Sequence, residues 1–134
     1  MAEALRLDIQ AAKDKMQARR GTSREMRRLT KHLANDEQVE VMAGGVYGTG
    51  RGLVVLTDRR LLFVLEALNR QVAEEFPIEK VSSVRWSAAF TGGSMTIATL
   101  GVEVEIAGMN KKDGKQMMDA IDERLATSPL PRHT

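Results

Sequence analysis

Two apolar runs joined by four polar residues constrain the fold of this chain more than any other feature. Residues 53–56 and 61–65 are apolar, and residues 57–60, Thr-Asp-Arg-Arg, separate them. Short continuous apolar runs bounded by turn residues are typical of buried β-strands. An Asp in such a connection can accept hydrogen bonds from backbone amides of the turn. The pattern therefore predicts a β-hairpin over residues 52–65, with both strands at least partly buried.

The first 35 residues have the spacing of two short amphipathic helices. The first apolar stripe stops at Arg19-Arg20-Gly21, and glycine is well suited to end a helix. Residues 22–25, Thr-Ser-Arg-Glu, have the form of a capping box that would begin a second helix. One kinked helix is the alternative. The apolar positions of this segment are Leu5, Ile9, Ala12, Met16, Met26, Leu29 and Leu33.

The same segment carries the excess positive charge of the chain. Residues 1–34 hold nine Lys and Arg against four Asp and Glu, a net charge of +5, whereas residues 35–134 hold eleven against fourteen, a net of −3. A basic arm on a mildly acidic body favours an acidic partner, although a solvated helix surface is the alternative interpretation. The clustered cations are Arg19, Arg20, Arg24, Arg27, Arg28 and Lys31.

From residue 39 onward the hydrophobic period changes to two, which predicts strands. In one of them, residues 83–90, we expect Val84, Trp86, Ala88 and Phe90 to share the face that contacts the core. Residues 78–81 read as a tight or helical turn after Pro77. The other predicted strands, besides the hairpin, begin at Val39 and cover residues 72–76, 95–100 and 102–107.

A closing helix follows the last strand. Asn110 is a good N-cap, and Asp113 lies near the positive end of the helix dipole. The helix is expected to run to about residue 126, and its apolar face would cover the open end of a small barrel. The residues of that plug are Met117, Met118, Ile121 and Leu125.

These elements predict an α+β, mostly β chain: a small antiparallel barrel of about seven strands, or an orthogonal sandwich, capped by a C-terminal helix. We divide it into a basic helical extension over residues 1–35, the barrel with its closing helix over 36–126, and a disordered tail over 127–134.

The chain offers little for catalysis. It has no cysteine, which excludes disulfides and thiol chemistry and fits a cytoplasmic location. Its two histidines, His32 and His133, lie in unrelated segments, and no metal-binding His pair or nucleophile elbow is present. We therefore predict no enzyme, no cofactor, no metal and no small-molecule substrate. No membrane-spanning run or signal peptide is visible; the inner membrane face is the alternative location.

The residues Thr57-Asp-Arg-Arg-Leu-Leu-Phe63 and Phe76-Pro-Ile-Glu-Lys-Val-Ser-Ser-Val84, followed by a late hairpin and a helix, resemble bacterial pleckstrin-homology-like (PH-like) domains. The resemblance covers residues 33–125. It implies a helical lead-in, seven strands and a C-terminal helix. It also implies a non-enzymatic, often oligomeric binding module. Relatives that bind phosphoinositides carry several cations near the first strand turn, where this chain has only Arg51, so no lipid headgroup site is assigned.

Two functional hypotheses follow. The first is protein–protein interaction or self-assembly: the apolar residues Leu5, Ile9, Met16, Met26, Leu29 and Leu33 would pack on the barrel or on another subunit, and the arm cations would recruit an acidic partner. The second is binding of nucleic acid or an anionic membrane by the same cations. Arg59 and Arg60 are secondary candidates, for which a structural role in the turn is the favoured interpretation.

Overall fold

The structure, a computed structural model, describes residues 4–127. It has three helices, α1 (Leu7–Asp14), α2 (Ser23–Arg28) and α3 (Lys111–Ala126), and two short 3-10 turns at Leu29–His32 and Ile78–Lys80. The strands are β1 (Val39–Tyr47), β2 (Gly50–Thr57), β3 (Arg60–Glu66), β4 (Gln71–Pro77), β5 (Val81–Ala88), β6 (Gly93–Thr99) and β7 (Val102–Met109). The predicted hairpin is confirmed as β2 and β3, and the two separate helices are confirmed over one kinked helix.

The seven strands form one antiparallel sheet in the order β4-β3-β2-β1-β7-β6-β5. β1 pairs with β2 along most of its length but with β7 only through Val46 and Tyr47, so it joins two smaller sets of strands. β4 and β5 are the edges of the sheet and do not pair with each other. The predicted fold class is confirmed, with the qualification that the ladder of backbone hydrogen bonds does not close into a complete barrel.

One face of the sheet, the inner face, holds the larger core, and α3 covers it. Met117 and Ile121 are buried against strand residues such as Phe63 and Ile97, with Met118 and Leu125 packed partly buried beside them. The predicted helical plug is confirmed. Its start is also confirmed, since the side chain of Asn110 accepts a hydrogen bond from the amide of Asp113.

A second core lies on the outer face of β1, β2 and β3, where α1 and α2 pack. Along β2, Val54 and Leu56 face the inner core whereas Leu53 and Val55 face the helices. Strands covered on both faces are apolar at every position instead of at alternate positions. The two helices therefore explain why the hairpin has continuous apolar runs.

Trp86 packs where the closing helix crosses β5 and β6. A Cβ added at Gly114 of α3 would overlap the six-membered ring of its indole, and one added at Gly93 would collide with the same side chain. The absence of a side chain at these positions allows α3 and β6 to approach the ring closely. This placement supports the interpretation of Trp86 as a packing residue.

Three local predictions were wrong. Phe90 lies in the turn after β5, where it is 99% exposed, because the strand ends at Ala88. Ala88, expected on the same core-facing side, is exposed as well. The capping box does not form: the hydroxyl of Thr22 donates to the carbonyl of Arg19 instead of capping α2. Except for Thr127, the predicted tail, with His133, lies outside the described residues.

Candidate interaction surface

A buried carboxylate joins the helical arm to the β2–β3 turn. Glu37 is 1% exposed. Its Oε2 accepts hydrogen bonds from the Thr57 hydroxyl at 2.7 Å and from Nε of Arg60 at 2.9 Å. Its Oε1 accepts from Nη2 of Arg60 at 2.9 Å and from the amide of Ala34 at 3.0 Å. Two parallel bonds between a guanidinium and a carboxylate make a strong, geometrically specific contact.

This environment favours the charged form of Glu37. The hydrogen bonds from Arg60 are the largest influence and outweigh the cost of burial, so the pKa of Glu37 falls from an ordinary value of 4.5 to about 2. Arg60 also donates to the carbonyl of His32 at 2.6 Å and to Glu75 at 2.7 Å. Arg60 thus ties the end of the arm, the hairpin and β4 together, and four of its five guanidinium N–H donors are used within the fold.

The other side chains of the turn also make hydrogen bonds or ion pairs within the fold. The hydroxyl of Thr57 accepts hydrogen bonds from the backbone amides of Arg59 and Arg60, both at 3.1 Å. Asp58 accepts a hydrogen bond at 3.1 Å from the amide of Gln38, the residue before β1, instead of from an amide within the turn. Arg59 pairs with the exposed Asp36 at 2.8 Å and keeps about 44% of its side chain exposed. Of the two secondary candidates, only Arg59 is accessible.

Two further carboxylates attach the first helix and the linker after it. Asp8 accepts the amide of Val39 at 2.7 Å and pairs with Arg6 at 2.6 Å, and the hydrogen bond from Arg6 lowers the pKa of Asp8 to about 2. Asp113, which is fully buried, accepts the amides of Gln17 at 2.7 Å and Ala18 at 2.9 Å. Asp113 therefore holds the linker between α1 and α2 against the first turn of α3.

Glu25 attaches α2 to the end of β3. It is 4% exposed, and its Oε2 accepts the amide of Glu66 at 2.8 Å. The carboxylate of Glu66 is itself buried and lies 3.1 Å from Nε2 of His32 and 3.6 Å from Nη1 of Arg28. The hydrogen bond with His32 is the main cause that lowers the pKa of Glu66. Glu25, which the predicted capping box would have used at the start of α2, therefore makes a tertiary contact instead.

A small pocket of about 280 Å³ lies beside this contact and is lined by Gly21, Ser23, Arg24, Glu25, Arg27 and Glu66. Oε1 of Glu25 and Oε2 of Glu66 are buried without a hydrogen-bond partner among the described residues. The exposed Arg24 and Arg27 also line this pocket, so its lining holds cations as well as buried carboxylates.

The apolar residues predicted for the arm face inward. Ile9, Met16, Met26 and Leu29 are between 0% and 3% exposed and pack on the outer face of the sheet, with Leu5 and Leu33 partly buried beside them. The sequence left open whether they pack on the barrel or on another subunit, and the structure places them on the chain's own sheet. They offer no free apolar surface for a partner.

The six cations predicted for the arm are all exposed. Arg19 donates to a carbonyl of α1, and Arg24 donates to the carbonyl of Glu66 at 3.4 Å. The side chains of Arg20, Arg27 and Lys31 make no hydrogen bond or ion pair with any other residue between positions 4 and 127, although the charge of Lys31 contributes to lowering the pKa of Glu66. Since Glu25 points inward, the outer side of residues 19–31 presents cations and no exposed carboxylate. We call this surface, formed by Arg19, Arg20, Arg24, Arg27, Arg28 and Lys31, the basic face.

The docking carboxylates Asp8, Glu37 and Asp113 were not predicted in these roles. Asp113 was noted only for its position at the start of α3, and Glu37 was not singled out. Their partners lie up to 96 residues away along the chain, so no local spacing connects them. Glu37 stands beside a second acidic residue, Asp36, between the apolar stripe and a predicted strand, so no local signal distinguished it.

Comparison with known families supplies the identity. The family model "Bacterial PH domain" matches residues 33–123, which is more than half of the chain. The chain belongs to the bacterial PH domain family. The resemblance seen in the hairpin and the Phe-Pro-Ile segment of this PH domain is therefore confirmed, and the family consists typically of non-catalytic binding modules.

Solved structures agree on the fold of this PH domain. A pleckstrin homology domain from Shewanella amazonensis SB2B is 14% identical with a TM-score of 0.57, over 78% of this chain and 97% of that one. The Vps36 N-terminal PH domain is 17% identical with a TM-score of 0.54, over 70% and 83%. The linker-DH/PH domains of p115-RhoGEF are 14% identical with a TM-score of 0.61, over 93% of this chain but 41% of that one. At these identities the likeness concerns the fold alone.

Comparison with curated proteins finds no match for this PH domain. Among residues 4–127, no group of three or more His, Cys, Asp or Glu side chains is placed to hold a metal ion. No helix in the same part of the chain is long and apolar enough to cross a membrane.

Proposed function

We propose that this PH domain is a non-catalytic binding module that holds an acidic protein partner on its basic face. The observation that carries the proposal is the orientation of the arm. Its apolar residues are buried on the sheet and its one central carboxylate, Glu25, is turned inward. The cations are left outside, and the side chains of Arg20 and Arg27 have no partner among the described residues.

The same orientation argues against self-assembly through the apolar stripe of the arm. Leu29 is 0% exposed, and Met26 and Met16 are 3% exposed, so a second subunit would have to detach the arm before it could contact these residues. Exposed cations need no such rearrangement. Complementary charge on a partner raises the association rate and selects the partner, more than it adds affinity.

The alternative is an anionic surface of another kind, held by the same cations. Proteins that hold single-stranded nucleic acid stack bases on aromatic side chains, and residues 1–35 contain none. An interfacial helix must bury its apolar face in the lipid, and here that face is occupied by β1, β2 and β3. Both observations favour an acidic protein surface for the basic face.

Reversing two exposed cations tests the proposal. Arg27→Glu/Lys31→Glu changes one side of the basic face without removing any hydrogen bond or ion pair within residues 4–127. We expect the domain to bind a fluorescently labelled oligoglutamate peptide at low salt. The affinity should weaken as salt rises, and it should fall roughly tenfold or more in the double variant, since exposed ion pairs contribute up to about 1 kcal/mol each.

Lys80→Glu/Arg85→Glu is the matched control. Both side chains are exposed, lie on the 3-10 turn before β5 and on β5 itself, and give the same change in net charge. This control should bind the peptide within about twofold of the wild type. Equal losses in the two variants would mean that net charge alone acts, and they would refute a specific basic face. Tighter, Arg27-dependent binding of DNA than of the peptide would favour the nucleic-acid alternative.

A further inference from the structure

Phe90 is the most exposed large apolar residue among those described, at 99%. It lies at the tip of the β5–β6 hairpin, between the exposed residues Ala89 and Thr91. No charged residue occurs from position 86 to position 94. The tip is therefore a small, wholly uncharged projection.

The tip is held in a defined position. The amide of Ala89 donates to the carbonyl of Gly92 at 2.9 Å and closes the turn. Gly92 has a positive φ of 76°, and an added Cβ there would overlap the carbonyl oxygen of Met109. Gly93 pairs with Met109 across the sheet. The tip thus lies against the end of β7, so that its position is fixed relative to the first turn of α3.

Cations lie at the end of the sheet on which this tip rests. Lys111, Lys112 and Lys115 are exposed in the first two turns of α3, directly after the end of β7. Arg51 donates to the carbonyl of Gly108, at 3.2 Å from each of two nitrogens, on the last residues of the same strand. These four side chains supply positive charge beside an apolar projection.

The linker between α1 and α2 adds to the same end of the molecule. Asp113 is the only acidic residue between positions 107 and 118, and it is buried because it accepts the amides of Gln17 and Ala18. This contact places the exposed Arg19 and Arg20 near the start of α3. Apart from the buried Asp113, the acidic residues of α3 begin at Asp119, so the exposed charges in its first two turns are all positive.

We propose that the Phe90 tip and the lysines at the start of α3 dock this domain on the surface of an anionic phospholipid bilayer. An aromatic side chain enters the interface between headgroups and acyl chains, while each nearby basic residue is attracted to anionic lipid. An exposed apolar tip with cations beside it fits a soft, flat surface. It provides no groove along which a nucleic-acid strand could run. The site shares only Arg19 and Arg20 with the edge of the basic face, and it does not depend on the function of that face.

Co-sedimentation of the full chain with vesicles tests the proposal. Vesicles of phosphatidylcholine and phosphatidylserine should bind the wild type, and vesicles of phosphatidylcholine alone should bind it far more weakly. Phe90→Ala should lower the partition coefficient roughly tenfold or more, as expected for withdrawing a large apolar side chain from the interface. Lys111→Glu/Lys112→Glu should lower it by a similar factor or more, because each cation near the surface contributes about fivefold.

Leu68→Ala is the matched control, because Leu68 is 94% exposed at the tip of the β3–β4 hairpin, with no place in the proposed surface. It should sediment like the wild type. Because both substituted side chains are exposed, urea denaturation should show unchanged stability in each variant. The proposal is overturned if the wild type does not bind the anionic vesicles, if Phe90→Ala binds as well as the wild type, or if Leu68→Ala loses as much. It is also overturned if Phe90 and the lysines affect binding of duplex DNA instead.

The proposals for the two surfaces can be tested independently of each other. Arg27→Glu/Lys31→Glu should lose the acidic peptide while Phe90 still governs vesicle binding. Phe90→Ala should lose the vesicles and keep the peptide. If instead Arg27→Glu/Lys31→Glu abolishes vesicle binding and Phe90→Ala does not, the basic face is the membrane site and the proposal for the tip is wrong.

Discussion

Arg60→Met is expected to lower the free energy of unfolding by about 3–5 kcal/mol, the usual cost of breaking a buried ion pair by removing one partner. The substitution keeps an extended side chain but leaves the carboxylate of Glu37, which is 1% exposed, with only the Thr57 hydroxyl and the Ala34 amide. An uncompensated buried charge is costly because it has lost its hydration. Urea denaturation followed by circular dichroism measures the effect.

Arg59→Met is the control in the same turn. Its guanidinium contacts Asp36, whose side chain is 82% exposed, so the urea midpoint should stay within error of the wild type. A large loss in Arg59→Met, or none in Arg60→Met, would contradict the assignment of Arg60 as the residue that ties the turn to the arm.

The same ion pair makes stability depend on pH. The pKa of Glu37 is about 2 in the folded chain and 4.5 ordinarily. A depressed pKa stabilises the folded state above the ordinary value, and this stabilisation is lost as the pH falls from about 4.5 towards about 2. Arg60→Met should therefore show a smaller loss of stability over this acid range than the wild type. The contribution of Asp8, whose pKa is also about 2, should persist.

Leu29→Ala is expected to cost about 2–5 kcal/mol, because it removes a buried side chain and leaves a cavity between the arm and the sheet. Leu29 is 0% exposed and belongs to the same core as Leu53, Leu62 and Val64 of the central strands. If the arm and the sheet unfold together, both probes should show the same single unfolding transition, shifted to lower stability. Thermal and urea denaturation, each followed by circular dichroism and by Trp86 fluorescence, provide two probes.

Leu7→Ala is the matched control within the arm, since Leu7 is 87% exposed on α1. It should leave the denaturation midpoint unchanged. If Leu29→Ala were as mild as Leu7→Ala, the arm would not share a core with the sheet. A separate early transition confined to circular dichroism would mean that the arm folds and unfolds on its own.

Much of the fold could be predicted from the sequence because its signals are local. The alternation of apolar residues identified β6 and much of β7, and Asn110 with the stripe from Met117 to Leu125 identified the start and the buried face of α3. The hairpin was recognisable from its apolar runs alone. Both faces of the hairpin are buried because α1 and α2, from the N-terminal arm, cover its outer face.

The errors and omissions concern contacts that are distant in sequence. Phe90 continued the alternation of β5, yet the turn begins at Ala89 because its amide bonds to Gly92. Glu25 matched a capping box, but the amide of Glu66 competes for its carboxylate in the folded chain. The roles of Glu37 and Asp113 depend on tertiary placement. The cations of the arm were identified from composition, whereas their outward orientation depends on the packing of Ile9, Met26 and Leu29 beneath them.

The most direct test of the central claim, that the arm lies on the sheet with its apolar side inward and its basic side outward, is thiol labelling of α1. The chain has no cysteine, so Leu7→Cys and Ile9→Cys each introduce one reporter, at positions that are 87% and 1% exposed. We predict that the thiol at position 7 reacts with Ellman's reagent as fast as a free peptide thiol. The thiol at position 9 should react at least about 100-fold more slowly, with protection lost only in the global unfolding transition. Equal labelling rates at the two positions in native buffer would contradict the account.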